Sequence, residues 1–237
     1  MLIAIFDAEE PPYFLTDGMG SVRFFHDHLS EDGVKAAIIM DLVGHDVLVP
    51  LSYIKSGGWF GKMARLFPRQ NGQDIAFPRL RNMLFMTGAE SHSSLPELVD
   101  QTILPRGLRM IPTLNRYIGD MSDQAVFRQH DVPYLFLSCG RWPYYHTVDD
   151  TPEKLNYRKM GRIATYLERL ARQLTNAPLP ESTGPRDDRA TVPFEIRHLT
   201  KAVGMPLPLL LKYLGAGDLK TREDLDDLVS TLLMLGL

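Results

Sequence analysis

The sequence has a single cysteine, Cys139, among 237 residues, so no disulfide can form within the chain. No apolar run approaches the roughly 20 residues that a membrane-spanning helix requires. The apolar opening, residues 1–6, has no basic flank and meets Asp7 at once, which is not the pattern of a signal peptide. The sequence therefore leaves the redox compartment and the cellular location unknown.

Charge of one sign is not concentrated anywhere in the sequence. The formal net charge is -3 at pH 7, and no basic stripe stands out. Nucleic acid is therefore not an expected partner. The hydrophobic fraction of 44% and the charged fraction of 23% are typical of a globular protein, and the length fits one domain with an appendage.

Short apolar runs rich in β-branched residues alternate with amphipathic helical patterns, which is typical of an α/β layer fold. Several of these runs are apolar on consecutive positions, as in strands that are covered on both faces. We predict strands over residues 2–6, 34–40, 47–51, 83–86 and 134–138. We predict helices over residues 19–29, 95–104 and 155–174.

Composition divides the chain into three parts. We assign residues 1–174 to a main domain, residues 175–193 to a Pro-containing polar linker, and residues 194–237 to a helical C-terminal segment. An apolar stripe at helical spacing follows Thr221 and must pack on the main domain or on a partner. Residues 55–81 are rich in Gly, Pro, Arg and Phe and give no prediction.

Polar residues come directly after three of the predicted strands. Glu9 and Glu10 follow the first strand, Asp41 ends the second, and Tyr145 and His146 follow the last. In open α/β sheets, ligands bind outside the carboxyl ends of the strands. These positions therefore predict a site at one edge of the sheet.

Two adjacent carboxylates at a strand end can divide two tasks between them. Neighbouring side chains point in different directions, so one of Glu9 and Glu10 can bind a metal while the other holds a water for hydrolysis. Glu10, Asp41 and His146 together supply the mixed nitrogen and oxygen ligands that zinc accepts. Taken alone, Glu9 and Glu10 favour an exposed acidic pair, His146 favours a solvated or capping histidine, and Asp41 could cap a turn.

The other histidines and the cysteine are weaker candidates. His26 and His28 stand two apart on a predicted helix and point in different directions, which predicts surface positions. His45 follows Asp41 closely and could lean toward a metal. Cys139 ends an apolar run, which predicts a small buried residue and not a nucleophile. The remaining histidines are predicted at loop or surface positions: His92, His130 and His198.

Four motifs in order resemble a known family. They are FDAEEPPYF with Gly20 and Ser21 downstream, IIMDLVG, SDQAVF and YYHTVDDTPEKLN. Together they resemble the di-zinc aminopeptidases of the bacterial leucyl-aminopeptidase type, whose fold glutaminyl cyclases share. The resemblance extends from Leu2 to Tyr157. It implies a three-layer α/β/α sandwich on a mostly parallel mixed sheet, here followed by a C-terminal helical tail.

The resemblance also implies roles for the site residues. Glu9 matches the general base, Glu10 and His146 match two ligands of one zinc ion, and Asp41 matches a ligand of a second zinc ion. Tyr145 matches the phenol that hydrogen-bonds the oxyanion of the tetrahedral intermediate. The positions expected to support them are Ser122, Asp123, Asp150 and Thr151, while Gln124 stands where the family often has His.

The family brings one more His, and an Asp that bridges the metals, from a segment upstream of the first motif. We expect either a fragment or an internal start at Met1, which the abrupt start inside a strand favours, or a naturally shortened relative. The ligand set for two zinc ions would then be incomplete. A sheet edge left exposed in this way could also self-associate.

The expected function is zinc-dependent removal of N-terminal residues from peptides by metal-activated water, with peptides as the substrates and activity impaired if the chain is short. Two alternatives stay open. One is an inactive binding or scaffolding relative that uses its apolar C-terminal helices. The other is glutaminyl-cyclase-like acyl transfer. Relatives of this kind are often exported.

Overall fold

The protein is represented by a computed structural model that describes residues 1–29, 33–50, 69–70, 74–75, 80–177, 179–180, 187–204 and 207–234. The strands in chain order are β1 Ala37–Met40, β2 Val49–Pro50, β3 Arg69–Gln70, β4 Asp74–Ile75, β5 Met83–Thr87, β6 Arg109–Pro112 and β7 Tyr134–Ser138. The α-helices are α1 Gly20–His28, α2 Leu95–Gln101, α3 Gln124–Gln129, α4 Tyr157–Asn176, α5 Val192–Val203, α6 Leu207–Leu214 and α7 Arg222–Met234.

The main sheet is mixed and mostly parallel, with the strand order β1-β7-β5-β6. β1 pairs with β7 in parallel, with Met40 opposite Leu137. β5 pairs with β6 in parallel and with β7 in antiparallel orientation. The carboxyl ends of β1 and β7 therefore lie at one edge of the sheet, and those of β5 and β6 lie at the opposite edge.

Helices cover both faces of this sheet, which confirms the predicted three-layer α/β/α architecture. Alternate residues of β7 face opposite layers, because successive side chains of a strand point to opposite faces. Phe136 packs with Phe25 of α1 and Phe127 of α3 on one face. On the other face, Leu135 and Leu137 join a larger core with α2 and α4, which includes Leu95, Leu98, Val99, Ile163, Tyr166 and Leu170.

The C-terminal helices pack on the β6 side of the sheet. Helix α5 lies against β6, and the Arg109 Nη1 atom of β6 donates to the carbonyl oxygens of Lys201 and Ala202 at 3.1 Å each. Met83 of β5 shares an apolar cluster with all three C-terminal helices. The division into domain, linker and tail stays a prediction. Within the described residues, no helix combines the length and the apolarity needed to cross a membrane.

The strand predicted over residues 2–6 is wrong. This segment has no secondary structure, and Leu2 and Ile5 are 67% and 96% exposed. An apolar run becomes a strand only where a neighbour can complete its hydrogen bonds and cover its faces. No described strand pairs with this segment, so its sequence preference is not realised.

Other elements differ from the predictions in smaller ways. The strand predicted over residues 47–51 is reduced to β2, which belongs to a separate sheet with β4 and β3, and Leu51 lies outside the described residues. Two elements were not predicted, namely the strand β6, which ends in proline, and the short helix α3. The helix predicted over residues 95–104 ends at Gln101, and the one predicted over residues 155–174 runs from Tyr157 to Asn176.

Two of the histidines predicted at loop or surface positions are buried. The His92 Nε2 atom lies 2.8 Å from the carbonyl oxygen of Pro180, and the His198 Nε2 atom lies 2.7 Å from Asp100 Oδ1. Each ring is buried because a specific polar partner replaces water. Cys139 is fully buried, as predicted, and His26 and His28 are exposed.

A buried ion pair holds the last helix to α5. Arg222 at the start of α7 and Glu195 of α5 are each 5% exposed, and the Arg222 Nη1 atom donates to Glu195 Oε2 at 3.1 Å. The Thr191 hydroxyl donates to Glu195 Oε1 at 2.6 Å, and Arg222 Nη2 donates to the carbonyl oxygen of Asp188 at 2.6 Å. Both charged groups are therefore fully satisfied while excluded from water.

Removing one partner of this pair should be strongly destabilising. Arg222→Met leaves the Glu195 carboxylate buried without its cation, and we expect the free energy of unfolding to fall by about 3–5 kcal/mol. The control is Arg189→Met, which removes an exposed pair with Glu223 at 3.3 Å and should cost about 0–1 kcal/mol. Urea unfolding measures both variants. Equal losses would contradict a special role for the buried pair.

Candidate functional site

Three loops meet at the edge of the sheet where β1 and β7 end. Asp41 follows β1 directly, and the loop that carries Tyr145 and His146 follows β7. Because β1 and β7 are parallel neighbours, both loops leave the sheet on the same side. The segment that contains Glu9 and Glu10 lies against them. The structure therefore brings the five predicted site residues together.

The closest contact in this group joins Glu10 and His146. The Glu10 Oε1 and His146 Nε2 atoms lie 2.7 Å apart, although the residues are 136 positions apart in the sequence. The Tyr145 ring stacks on the His146 ring with 3.7 Å between their centroids. Both members of the Glu10–His146 pair keep about half of their side-chain surface exposed, at 54% and 55%. The pair is therefore open to a ligand from solvent.

Each of the three loops contains a non-glycine residue with positive φ. Ala8 has φ of 55°, Leu42 has φ of 48° and His146 has φ of 59°. This left-handed conformation is uncommon for residues with a Cβ atom and costs roughly 1–3 kcal/mol where it is enforced. Such residues cluster at functional sites, where the surrounding structure over-determines them.

The segment with the two glutamates is fixed by a close approach to α1. The Gly20 N–H donates to the carbonyl oxygen of Asp7 at 3.0 Å. A Cβ atom on Gly20 would lie 2.6 Å from that same oxygen. Only glycine allows this approach without a shift of the backbone. The contact sets where the chain turns just before Glu9.

Burial and neighbouring negative charges raise the pKa of two carboxyl groups of the site, those of Glu9 and Asp41. Burial raises the pKa of Glu9, the charges of Asp41, Asp123 and Glu10 raise it further, and a hydrogen bond with Ser122 opposes the shift. Burial also raises the pKa of Asp41, against the 2.7 Å hydrogen bond from the Leu42 N–H. The site is therefore a concentration of negative charge, in which Glu9 and Asp41 hold their protons more readily than usual.

Two further groups respond to this field. Burial and the neighbouring carboxylates Glu10, Asp41 and Glu9 raise the pKa of Tyr145, so its phenol keeps its proton. Burial and the charge of Asp41 raise the pKa of Asp123.

The residues expected to support the site occupy defined places around it. Ser122 is buried beside Glu9, and Asp150 accepts a 2.8 Å hydrogen bond from the Trp142 indole that closes the loop around His146. Gln124 is fully buried, with its Nε2 atom 3.2 Å from the Gly119 carbonyl oxygen. Gln124 thus packs inside the protein from α3, at the position where the family often has His.

The donors at this edge suit zinc in kind. Glu10 and His146 offer an oxygen and a nitrogen 2.7 Å apart, and the Asp41 carboxylate interacts electrostatically with both. Among the residues that the structure describes, no three or more His, Cys, Asp or Glu side chains are grouped so that they could hold one metal ion. A catalytic zinc usually has about three protein ligands, so the described donors fall short in number.

His45 does not join this donor group. Its ring is 2% exposed, its Nδ1 atom lies 3.1 Å from the Asp46 carbonyl oxygen, and it stacks on Trp142 with centroids 4.6 Å apart. Sequence reasoning did not single out this packing, nor the buried Lys159 beneath it. A lysine on the apolar face of the helical pattern of α4 was the signal that could have found it.

Neutralising Asp123 should stabilise the protein in a pH-dependent way. The folded-state pKa of Asp123 is raised above its ordinary value of 3.8, so its charge costs stability as the pH rises from that value through the folded pKa. Asp123→Asn removes this cost. The gain in the free energy of unfolding should therefore be near zero at low pH, grow with pH through this window and stay constant above it. Urea unfolding across pH with a chelator present measures it, and a gain that shrinks with rising pH would contradict the assignment.

Comparisons with known proteins bear on this site. Residues 72–171 match Peptidase family M28. The chain is similar to a protein of Escherichia coli (strain K12) described as "Uncharacterized protein YfbL", with 28% identity over 166 residues. That alignment covers 68% of this chain and 47% of the relative, so the chain spans about half the length of the relative. No solved structure matches.

The family match covers part of the site. Its residues include Tyr145 and His146, whereas Glu9, Glu10 and Asp41 come before its first residue. These three residues lie outside the matched segment in the sequence but next to Tyr145 and His146 in the structure. Over residues 72–171, the chain is therefore similar to a family of zinc-dependent peptidases.

Proposed function

We propose that this protein is a zinc-dependent peptidase that removes N-terminal residues from peptides. The observation that carries the proposal is the 2.7 Å contact between Glu10 and His146, beside Asp41 and Glu9, at the edge where two parallel strands end. The similarity to Peptidase family M28 supports the peptidase class. The restriction to the amino end of the peptide rests on the motif resemblance.

In this proposal, Glu10 and His146 hold one zinc ion and Asp41 holds a second. Bound zinc supplies a Lewis acid that polarises the scissile carbonyl and lowers the pKa of a water. The clustered carboxylates of Glu9, Glu10 and Asp41 also create a negative potential at the site. That potential attracts the zinc cations.

Glu9 is the proposed general base. Its position next to Glu10 places its carboxylate at the same site, while its own environment is the more buried one. The raised pKa of Glu9 suits a group that must take a proton from the attacking water and return it to the departing amine. Ser122 orients the carboxylate by hydrogen bonding, which limits the geometries in which Glu9 can act.

Tyr145 is the proposed donor to the oxyanion. Its phenol is 45% exposed at the mouth of the site and keeps its proton because the surrounding carboxylates raise its pKa. The ring is held by its stacking on His146. A donor fixed in this way stabilises the developing negative charge without reorganising during the reaction.

One observation favours the alternative of an inactive binding or scaffolding protein. The described residues do not provide a group of three metal-binding side chains. Zinc content distinguishes the two functions, because a peptidase requires near-stoichiometric zinc and a scaffold does not.

Self-association is a further proposal. It is supported by the exposed apolar residues Leu2, Ile3 and Ile5, together with Met40 on the edge strand β1.

Replacing the proposed base should separate metal binding from turnover. Glu9→Gln keeps the shape of the side chain but cannot accept the proton, so we expect kcat to fall about 10²–10⁴-fold while zinc content is unchanged. Aminoacyl-arylamide hydrolysis and metal analysis of the purified protein measure these quantities.

The matched control is Glu168→Gln. Glu168 is an exposed carboxylate of α4 that pairs with Arg172 on the helix surface. Its replacement should leave both kcat and zinc content unchanged. Turnover of Glu9→Gln at the wild-type rate would show that the base is wrongly assigned.

A further inference from the structure

The first turn of α4 lies beneath two of the site loops. We name residues 41–46 the Asp41 loop and residues 139–150 the His146 loop. Asn156, which caps α4 by accepting from the Lys159 N–H at 3.0 Å, also donates from its own N–H to the Gly44 carbonyl oxygen at 2.7 Å. Its side-chain Nδ2 atom donates to Asp46 Oδ1 at 2.7 Å. The start of the helix is thus bound to the Asp41 loop.

Gly44 makes this approach possible. Its φ is +104°, and a Cβ atom there would lie 2.5 Å from the Cγ atom of Met160 on α4. The Asp41 loop therefore lies directly on the helix at this point. The Gly44 N–H in turn points to the Cys139 thiol of the His146 loop, 3.4 Å away.

Lys159 connects these parts from within the core. The side chain is completely buried, and its Nζ atom donates to the His45 carbonyl oxygen at 2.6 Å and to the Arg81 carbonyl oxygen at 3.1 Å. The Cys139 thiol also hydrogen-bonds the Lys159 amine. One side chain therefore joins the Asp41 loop, the 3-10 turn that precedes β5 and the His146 loop.

A buried lysine is costly unless its donors are used. Burial lowers the pKa of Lys159, and the thiol of Cys139 and the charge of Asp46 oppose that shift. An apolar side chain of the same length would fill the same space without this cost. Unlike an apolar side chain, the amine makes directional hydrogen bonds. Its N–H groups are satisfied only when the two carbonyl oxygens stand in these positions.

A second contact carries this order to the site. The backbone carbonyl oxygen of His45 accepts a hydrogen bond from the Lys159 amine. The ring of the same residue stacks on Trp142 of the His146 loop with an interplanar angle of 25°. The Trp142 indole donates to Asp150 Oδ1 at 2.8 Å and so closes the turn that contains His146. The two loops are therefore locked together through His45 at the point where Lys159 holds it.

We propose that Lys159 is a positioning residue that sets the separation between the Asp41 loop and the His146 loop, and hence between the carboxylate of Asp41 and the groups of Tyr145 and His146. Lys159 touches none of the proposed reacting groups and acts through His45 and Trp142. Its effect on turnover rests on the proposed function, whereas its effect on loop geometry does not.

The test uses Trp142 as a reporter of the contact between the loops. The chain has 2 tryptophans, and replacing Trp59 with Phe leaves the emission of Trp142 alone. In this background, Lys159→Met removes the donors but keeps the length of the side chain. The matched control is Arg158→Met, which removes an exposed cation one position earlier. Lys159→Arg keeps a cationic donor.

We expect folded Lys159→Met to show red-shifted Trp142 emission and stronger quenching by acrylamide, with Arg158→Met unchanged and Lys159→Arg closer to the wild type. With zinc and an aminoacyl-arylamide, kcat of Lys159→Met should fall about 10- to 100-fold while KM changes little, because misplacement by about 1 Å has this effect. If Lys159→Met does not fold, Lys159→Gln, which can donate to one carbonyl oxygen, should show a smaller change of the same kind.

An unchanged Trp142 signal in a folded Lys159→Met or Lys159→Gln protein would overturn the proposal, as would equal losses in Lys159→Arg and Lys159→Met. A wild-type protein that binds no zinc and hydrolyses no substrate would instead overturn the proposed function. In that case the Trp142 measurement would still decide the role of Lys159, because it requires neither metal nor substrate.

Discussion

The parallel pairing of β1 with β7 is the constraint on which the candidate site depends. It places Met40 opposite Leu137, so the chain leaves both strands at the same level and on the same side of the sheet. Asp41 comes from one of these exits and His146 from the other. A shift of the register by one residue would exchange the side chains that β7 presents to its two cores, so that Phe136 would leave the cluster of Phe25 and Phe127. The apolar layers on the two faces therefore also fix the geometry of the site.

Much of this arrangement could be predicted from the sequence, because it follows from local patterns. Residues 34–40, 83–86 and 134–138 are apolar runs that find pairing partners, and each contributes a strand to the main sheet. The polar residues that follow β1 and β7 lie close together as expected, because the carboxyl ends of neighbouring parallel strands lie side by side. The amphipathic face of α4 was visible in the same way.

The remainder depended on contacts that a local pattern does not contain. Residues 2–6 have the composition of a strand but no described partner, so they stay exposed. His92 and His198 look like surface residues until Pro180 and Asp100 are known to lie beside them. Strand β6 is short and ends in proline, and among the described strands it is defined by its pairing with β5. In each case the deciding partner is distant in the sequence.

The carboxylates of the candidate site differ from the buried ion pair of the C-terminal helices in how their charges are balanced. Burial raises the pKa of Glu9, Asp41 and Asp123, and the charge of Asp41 adds to the shifts of the other two, which is unfavourable for the folded protein in the absence of a cation. The ion pair of Glu195 and Arg222 is buried as well, but it is fully matched. Among the described residues, a group of carboxylates without a cation partner thus lies at the edge of the candidate site, and a matched ion pair holds two helices on the β6 side.

Exposure follows the same division and explains why α4 matters for the site. Glu10 and His146 are half exposed, so solvent competes for their hydrogen bond and the pair alone cannot fix the loops. Lys159, His45 and Trp142 are buried, where directed contacts are stronger and a change in one is transmitted to its neighbours. Glu10 and His146 can therefore exchange their hydrogen bond for contacts with a ligand. In our proposal, the separation of the loops is set by the buried first turn of α4.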